Sequence, residues 1–479
     1  LAIQNVAIVL ALLSAAQSEP CYRPPSFKVV VLNGASEYSA AAAFDVDQDG
    51  VVEILSGAYL YQAPHWRMRP IRDVERIGDR YDDYSNLPLD ADGDGDLDLV
   101  SVNYRSGAIY VWLNPGATRR RWPRIVLDRP GRSETGLLVD IDGDGQPDIL
   151  PNGVDYAAWY QRFELRASAG VVSVCALRRE LPDALRGHGI GAGDVDGDGL
   201  VDIVGSRGWA RQLRGLGATV RWQWHPEFAL HRDASIPILV VDVDGDGDSD
   251  LVWGRGHDVG LYWMEQERTD QGRRWLLHCI DHTVSQVHAL LWADLNRDGR
   301  PELVAGKRYL GHGGRDPGEY DPLFVRSYQF CSDRRTWHAA TIAWDRAGWD
   351  LNPVVKDVDG DGDLDLVGPT RSGLYLLENL TADGADYIDP MPGVDAAPVY
   401  TERADLLRFV PQERLVVRVR RDNLFDWGRR RHHILQNMQK VMGPLPGPDR
   451  RVPLEVTVVE RADTEAYERI KLFYTAEPG

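Results

Sequence analysis

Residues 241–252 read VDVDGDGDSDLV. Asp242, Asp244, Asp246, Asp248 and Asp250 fall within nine positions, a density of like charge that neither a strand nor a helix turns to advantage. A hard divalent cation does, because it takes several oxygen ligands at once and alternating Asp side chains around a glycine-permitted turn supply them. Asp242, Asp244, Asp246 and Asp250 are the candidate ligands. The last carboxylate comes at position nine, not at twelve as in an EF-hand loop, and Leu251 and Val252 follow at once. The loop therefore feeds a strand.

Six further versions run along the chain. FDVDQDGVVEIL offers Asp45, Asp47, Asp49 and Glu53; LDADGDGDLDLV offers Asp90, Asp92, Asp94 and Asp98; VDIDGDGQPDIL offers Asp140, Asp142, Asp144 and Asp148. GDVDGDGLVDIV offers Asp194, Asp196, Asp198 and Asp202; ADLNRDGRPELV offers Asp294, Asn296, Asp298 and Glu302; KDVDGDGDLDLV offers Asp357, Asp359, Asp361 and Asp365. Their first aspartates are 45, 50, 54, 48, 52 and 63 residues apart, the period of a propeller blade.

Each loop lies between an apolar stretch and a Leu-rich or β-branched one, the pattern of strand, turn, strand. A third strand follows in several repeats, as in AIYVWLN (108–114), GLYWME (260–265) and GLYLLEN (373–379). A fourth carries an aromatic residue five positions before an aliphatic one: Trp66 and Ile71, Trp122 and Leu127, Trp275 and Ile280, Trp337 and Ile342. Four strands in each of seven repeats predict an all-β fold, a seven-bladed β-propeller over residues 21–380. No aromatic fourth strand follows Asp357, whereas Phe27 and Leu32 show that spacing ahead of the first loop. The N-terminal strand is thus expected to complete the last blade and close the ring, leaving no free edge.

The repeated D-x-D-x-D-G-x-x-[DE] loop resembles the FG-GAP (VCBS-type) repeat of integrin α-subunit propellers and many secreted bacterial proteins. The resemblance implies calcium, up to seven ions, held by side chains at loop positions one, three, five and nine with a backbone carbonyl at seven. Glu53, Glu302 and Asn296 depart from the pattern and imply weaker sites. Solvated acidic turns without metal are the alternative.

The net charge of −19 argues against a nucleic-acid groove, and 27 of the 73 acidic residues stand at these ligand positions. Residues 1–20, LAIQNVAIVLALLSAAQSEP, read as a secretory signal, with a mis-started N-terminus as the blander alternative. A secreted or periplasmic protein with no membrane span is expected. Cys21, Cys175, Cys279 and Cys331 form no CxxC motif, and their pairing is left open.

A Pro/Gly/Ala/Asp-rich linker is expected over 381–403, then a small α+β segment over 404–479: a helix within 418–443 and strands at 452–460 and 469–477. HILQNMQKVMGPLP, VPLEVTVVE and YTAEPG are similar to the leader of secreted α/β-hydrolases of the acetylxylan-esterase and dienelactone-hydrolase kind, which implies either a hydrolase domain beyond this chain or a tail that has become structural. No G-x-S-x-G elbow is present, so no hydrolase triad is assigned.

Counting six residues back from the first Asp of a loop places Tyr84, Glu134, His188 and His288 at one equivalent position, a ring at the channel mouth. Asp82, Asp83 and Asp350 lie near it in phase, and the insertion GKRYLGHGGRDPGEYD (306–321) adds Lys307, Arg308 and His312. His188 and His288 facing Glu134 suit acid-base work or a transition metal, or simply hydrogen bonds between blades. The propeller is also similar to that of secreted aldos-2-ulose dehydratases, which implies a sugar lyase. The expected function is binding, of carbohydrate or an extracellular polymer, with the lyase as the alternative.

Overall fold

The computed structural model describes residues 21–116, 121–168, 171–214, 220–270 and 272–390, and short strands beyond them. Residues 1–391 form one compact unit and 392–479 another. In the second unit the described elements are two strand pairs, Arg408–Phe409 with Val417–Arg418 and Thr457–Asp463 with Glu468–Phe473. The helix expected within 418–443, the N-terminal signal and most of the linker lie outside the described residues.

The first unit holds seven four-stranded antiparallel sheets, the expected blades. Blade 1 comprises Ala41–Phe44, Glu53–Ser56, Tyr59–Gln62 and Arg67–Pro70. Blades 2 to 6 repeat that order, their first strands being Leu87–Leu89, Ser133–Val139, Ile190–Gly193, Leu239–Val241 and Leu290–Ala293. Blade 7 takes three strands from Val354–Lys356, Asp365–Thr370 and Gly373–Asn379 and its fourth from Phe27–Asn33, which pairs antiparallel with the third from Phe27 opposite Asn379 to Asn33 opposite Leu374. A disulfide from Cys21 to Cys331 in blade 6, and a 2.6 Å hydrogen bond between the Tyr22 and Ser327 hydroxyls, hold the approach to that strand.

Burial follows strand position. Second strands such as Asp98–Val102 and Asp365–Thr370 are buried at every residue, because a neighbouring blade covers each face. The outermost strand Phe27–Asn33 has no fully buried residue. The apolar residues gather into clusters between adjacent blades. Leu55, Leu60, Leu99 and Trp122 join blades 1 and 2, and Ala41, Ile54, Val367 and Leu376 join 7 to 1. Hydrophobic burial thus runs around the ring without a break.

In every acidic loop, positions four and six are left-handed. Position six is always Gly, with φ from +81° at Gly199 to +94° at Gly95 and Gly362, a region closed to side chains. Position four is gentler, and Gln48 and Arg297 occupy it at φ +58° and +61°. The position-one carboxylate collects turn amides, as Asp90 does from Gly93 and Gly95 at 2.7 and 3.1 Å. The position-nine carboxylate opens the second strand and accepts the amide of position two, at 3.0 Å for Asp98 and 2.8 Å for Glu302.

Candidate functional site

Because the strands of a blade alternate in direction, the loops joining strands one and two emerge on one face. The turns joining strands two and three, and the connections into strand one, emerge on the other. The seven acidic loops therefore occupy one face, and the ring counted back from them occupies the opposite one.

At the acidic loops the buried position-nine carboxyls are pushed up by burial, only partly offset by the amides they accept: Glu53, Asp98, Asp148, Asp202, Asp250 and Asp365 to about 7, and Glu302 to about 8. Oδ1 of Asp142, Asp196, Asp248 and Asp363 is buried without a partner among the described residues. Stranded carboxylate oxygens next to like charges fit a divalent cation. Loop six differs. Arg300 and Gln329 donate to Asp298 at 3.0 and 3.1 Å, and Asn296 turns its amide nitrogen to the Arg23 carbonyl.

On the opposite face a cavity of about 440 Å³ is lined by Asp79, Arg80, Tyr84, Tyr104, Arg105, Glu134, Val154, His188, His257, Arg308, Gly311, His312, Gly313 and Arg315. These residues come from the connections around the ring, so the cavity lies on its axis. Arg80 arrives on a hairpin, Arg76–Ile77 with Arg80–Tyr81, inserted between blades 1 and 2. Its guanidinium donates to the carbonyls of Leu310 and Gly311, tying the hairpin to the 306–321 insertion of blade 6. The rings of Tyr84 and Tyr104 stack 5.9 Å apart.

At the floor, Glu134 from the first strand of blade 3 meets His188 from the connection into blade 4 and His288 from that into blade 6. Nε2 of His188 is 3.2 Å from Glu134 Oε2, and Nε2 of His288 is 3.3 Å from Oε1. His257, on the turn between the second and third strands of blade 5, brings its Nε2 to 3.1 Å from that of His188. Burial alone would raise the Glu134 carboxyl, but His188 and His288 hold it well below the usual carboxylate range. Burial lowers His188, yet the facing Glu134 carboxylate leaves it raised overall, whereas burial and Arg308 press His288 down to about 3. Arg308, itself buried, donates to Glu134 Oε1 at 3.2 Å. The four ligand-type atoms lie within 4.8 Å of one another, close enough to share one ion.

Of the residues singled out in the sequence, Tyr84, Glu134, His188, Arg308 and His312 line the cavity, and His288 is buried beneath it. The others are engaged in the interior. Asp83 is buried against Arg72 at 2.8 Å and Asn86 at 3.2 Å. Asp82 accepts the amides of Arg105 and Ser106, and Asp350 accepts the Ser39 hydroxyl and the Tyr309 amide. Lys307 is fully buried, its Nζ donating to the carbonyls of Arg308 and Glu319. Phase along the blade gives a residue's height but not the direction of its side chain. His257, Tyr104 and Arg105 sit on turns between strands two and three, outside the phase counted from the acidic loops. The signal was present, since alternation puts those turns on the same face as the ring.

Residues 90–150 and 242–305 match the FG-GAP-like repeat, and the chain thus carries FG-GAP-like repeats in a seven-bladed propeller. No curated protein matches the chain. Among solved structures it is similar to an Agrocybe aegerita lectin described as recognising non-reducing terminal N-acetylglucosamine (17% identity, 74% of this chain and 94% of that one, TM-score 0.41). Others are the rhamnogalacturonan lyase YesW (14%, 74% and 74%, 0.40) and the V. cholerae biofilm matrix protein Bap1 (13%, 74% and 91%, 0.39). Among the described residues, no helix is long and apolar enough to cross a membrane.

Proposed function

We propose that this propeller binds an acidic carbohydrate or extracellular polymer in its axial cavity, on a scaffold braced by calcium in the acidic loops of the opposite face. The cavity wall carries the reading: Arg80, Arg105, Arg308 and Arg315 stand around the stacked Tyr84 and Tyr104. Guanidinium forks match carboxylates and sulfate or phosphate esters, and ring faces offer an apolar platform to a sugar. Arg80 is held by the carbonyls of Leu310 and Gly311 and Arg308 by Glu134, which fixes both guanidinium groups at the cavity.

Calcium would be held by the carboxylates at positions one, three, five and nine, most weakly in loops four and six, where Arg211 already engages Asp196 and Asp198, and Arg300 and Gln329 engage Asp298. The Cys21–Cys331 disulfide supports export, since such bonds persist in oxidising compartments.

A second reading, sugar elimination at the same cavity, is favoured by the convergence of three imidazoles on Glu134, a set able to hold and pass a proton. Titration of the full chain with oligouronates, followed calorimetrically, tests the first reading. Arg105→Ala and Tyr104→Ala should each weaken binding by roughly tenfold while leaving the melting curve in place. Unchanged affinity in both would remove the cavity as the binding site. Turnover of keto-sugars that disappears in His188→Ala would put elimination first.

A further inference from the structure

Four successive blades each send one nitrogen or oxygen ligand to the cavity floor. Around Nε2 of His188, Nε2 of His288 stands at 3.0 Å, Nε2 of His257 at 3.1 Å and Oε2 of Glu134 at 3.2 Å. Atoms bound about 2.1 Å from a common ion are about 3.0 Å apart at right angles and about 3.4 Å apart at the tetrahedral angle. The three spacings from His188 fall in that range, and all four atoms lie within 4.8 Å of one another.

Proton counting points the same way. Nδ1 of His188 lies 2.7 Å from the Ala234 carbonyl, which can only accept, so Nδ1 carries the hydrogen. In the neutral ring Nε2 is then a bare lone pair facing a carboxylate oxygen and two further imidazole nitrogens. A cation at the centre satisfies these groups together, whereas protons can serve them only pair by pair, with His257 and His288 as Nε2–H donors; Nδ1 of neither ring makes a hydrogen bond, among the described residues, that would fix its tautomer. Behind His257 a carboxylate stands at ion-pair distance, without a hydrogen bond to the ring among the described residues. Nδ1 of His257 stands 3.3 Å from Asp316 Oδ2, and that carboxylate is fixed in turn by Nδ1 of His312 at 2.6 Å. A carboxylate behind an imidazole is the usual outer support of a metal-bound histidine.

We propose that Glu134, His188, His257 and His288 together hold one divalent transition-metal ion of the zinc, iron(II) or cobalt(II) class, distinct from the calcium of the acidic loops. Three imidazoles against one carboxylate suit such ions, whereas calcium takes six to eight oxygens. Arg308 occupies Glu134 Oε1, leaving Oε2 to the centre. Glu134, His188 and His257 also line the cavity, so the ion is reachable by whatever enters it. With three neutral imidazoles and one carboxylate, the centre keeps a net positive charge beside Arg308.

The test uses the full chain without a histidine tag, stripped with chelator, refilled with calcium and titrated with cobalt(II). One equivalent should bind in saturating calcium, with visible absorption bands of imidazole-ligated cobalt. His257→Ala and His188→Ala should lower that affinity at least 100-fold, and Asp316→Asn, acting through His257, by roughly 10–100-fold. His257 lies on a turn, so its variant serves if His188→Ala fails to fold. Absence of stoichiometric cobalt or zinc uptake, or uptake unchanged in His257→Ala, would overturn the assignment and leave a shared proton at the floor. Metal uptake is read without any carbohydrate, so failure of glycan binding leaves this result intact.

Discussion

The side-chain amide of Asn379 donates to the backbone carbonyl of Leu295 at 2.9 Å, tying the acidic loop of blade 7 to that of blade 6. It also donates to the Leu364 carbonyl at 3.1 Å, while its own amide N–H reaches Asp365 Oδ1 at 2.8 Å. Asn114, Gln212 and Gln266 repeat the clamp, reaching the carbonyls of Val46, Ile141 and Val195 in the preceding loops. One amide at the end of the third strand thus fixes the position-nine carboxylate and couples neighbouring turns.

Asn379 is buried, and Asn379→Leu would strand the carbonyls of Leu295 and Leu364. Each unsatisfied group costs about 1–3 kcal/mol, so a loss of about 2–6 kcal/mol is expected in urea unfolding. A loss under about 0.5 kcal/mol would mean that the clamp is incidental.

The loop backbone separates two glycines that look interchangeable in sequence. Gly247 at φ +92° has no non-glycine counterpart in any loop, whereas Gly245 at +80° corresponds to Gln48 and Arg297. Gly247→Ala should cost about 1–3 kcal/mol and weaken calcium uptake by loop five, while Gly245→Asn should cost under about 1 kcal/mol. Equal effects on the melting temperature would contradict this ordering.

Withdrawal of calcium should leave the buried position-nine carboxylates and their neighbours unbalanced in several turns at once. The melting temperature of the full chain should fall by roughly 10 °C or more in excess EDTA and recover when calcium is returned. A curve indifferent to chelator would make the loops self-sufficient acidic turns.

Ring closure by Phe27–Asn33 is tied to the Cys21–Cys331 bond. Cys21→Ser should lower stability by about 2–5 kcal/mol yet leave a monomer, because the strand pairing remains. Deletion of residues 21–34 also bares the edge of Gly373–Asn379, and aggregation is expected. Light scattering separates the two, and a monomeric deletion variant would argue against the closure.

Much of this architecture was legible because the signal repeats locally. The D-x-D-x-D-G loops mark the turn between strands one and two, and the Phe27–Leu32 spacing reveals the displaced fourth strand. The cavity was half legible. Tyr84, Glu134, His188 and His288 share a phase, but Arg80 comes from an inserted hairpin, and His257 and Arg105 from turns that no repeat marks. The Cys21–Cys331 pairing, across 310 residues, depends on where the chain closes, which no local pattern encodes. Asn114 and Asn379 did stand at the ends of quoted third strands, yet their clamping role emerges only once adjacent blades are side by side.

The reading that an acidic glycan occupies the axial cavity turns on charge, so its most direct test is a matched pair of ligands. The full chain, loaded with calcium, should be titrated with an oligouronate and with the same oligosaccharide reduced at its carboxyl groups. The arginine-lined cavity should bind the acidic form at least tenfold more tightly, the preference weakening as salt is raised. Equal affinity for the two, or a preference that Arg105→Ala leaves untouched, would contradict it.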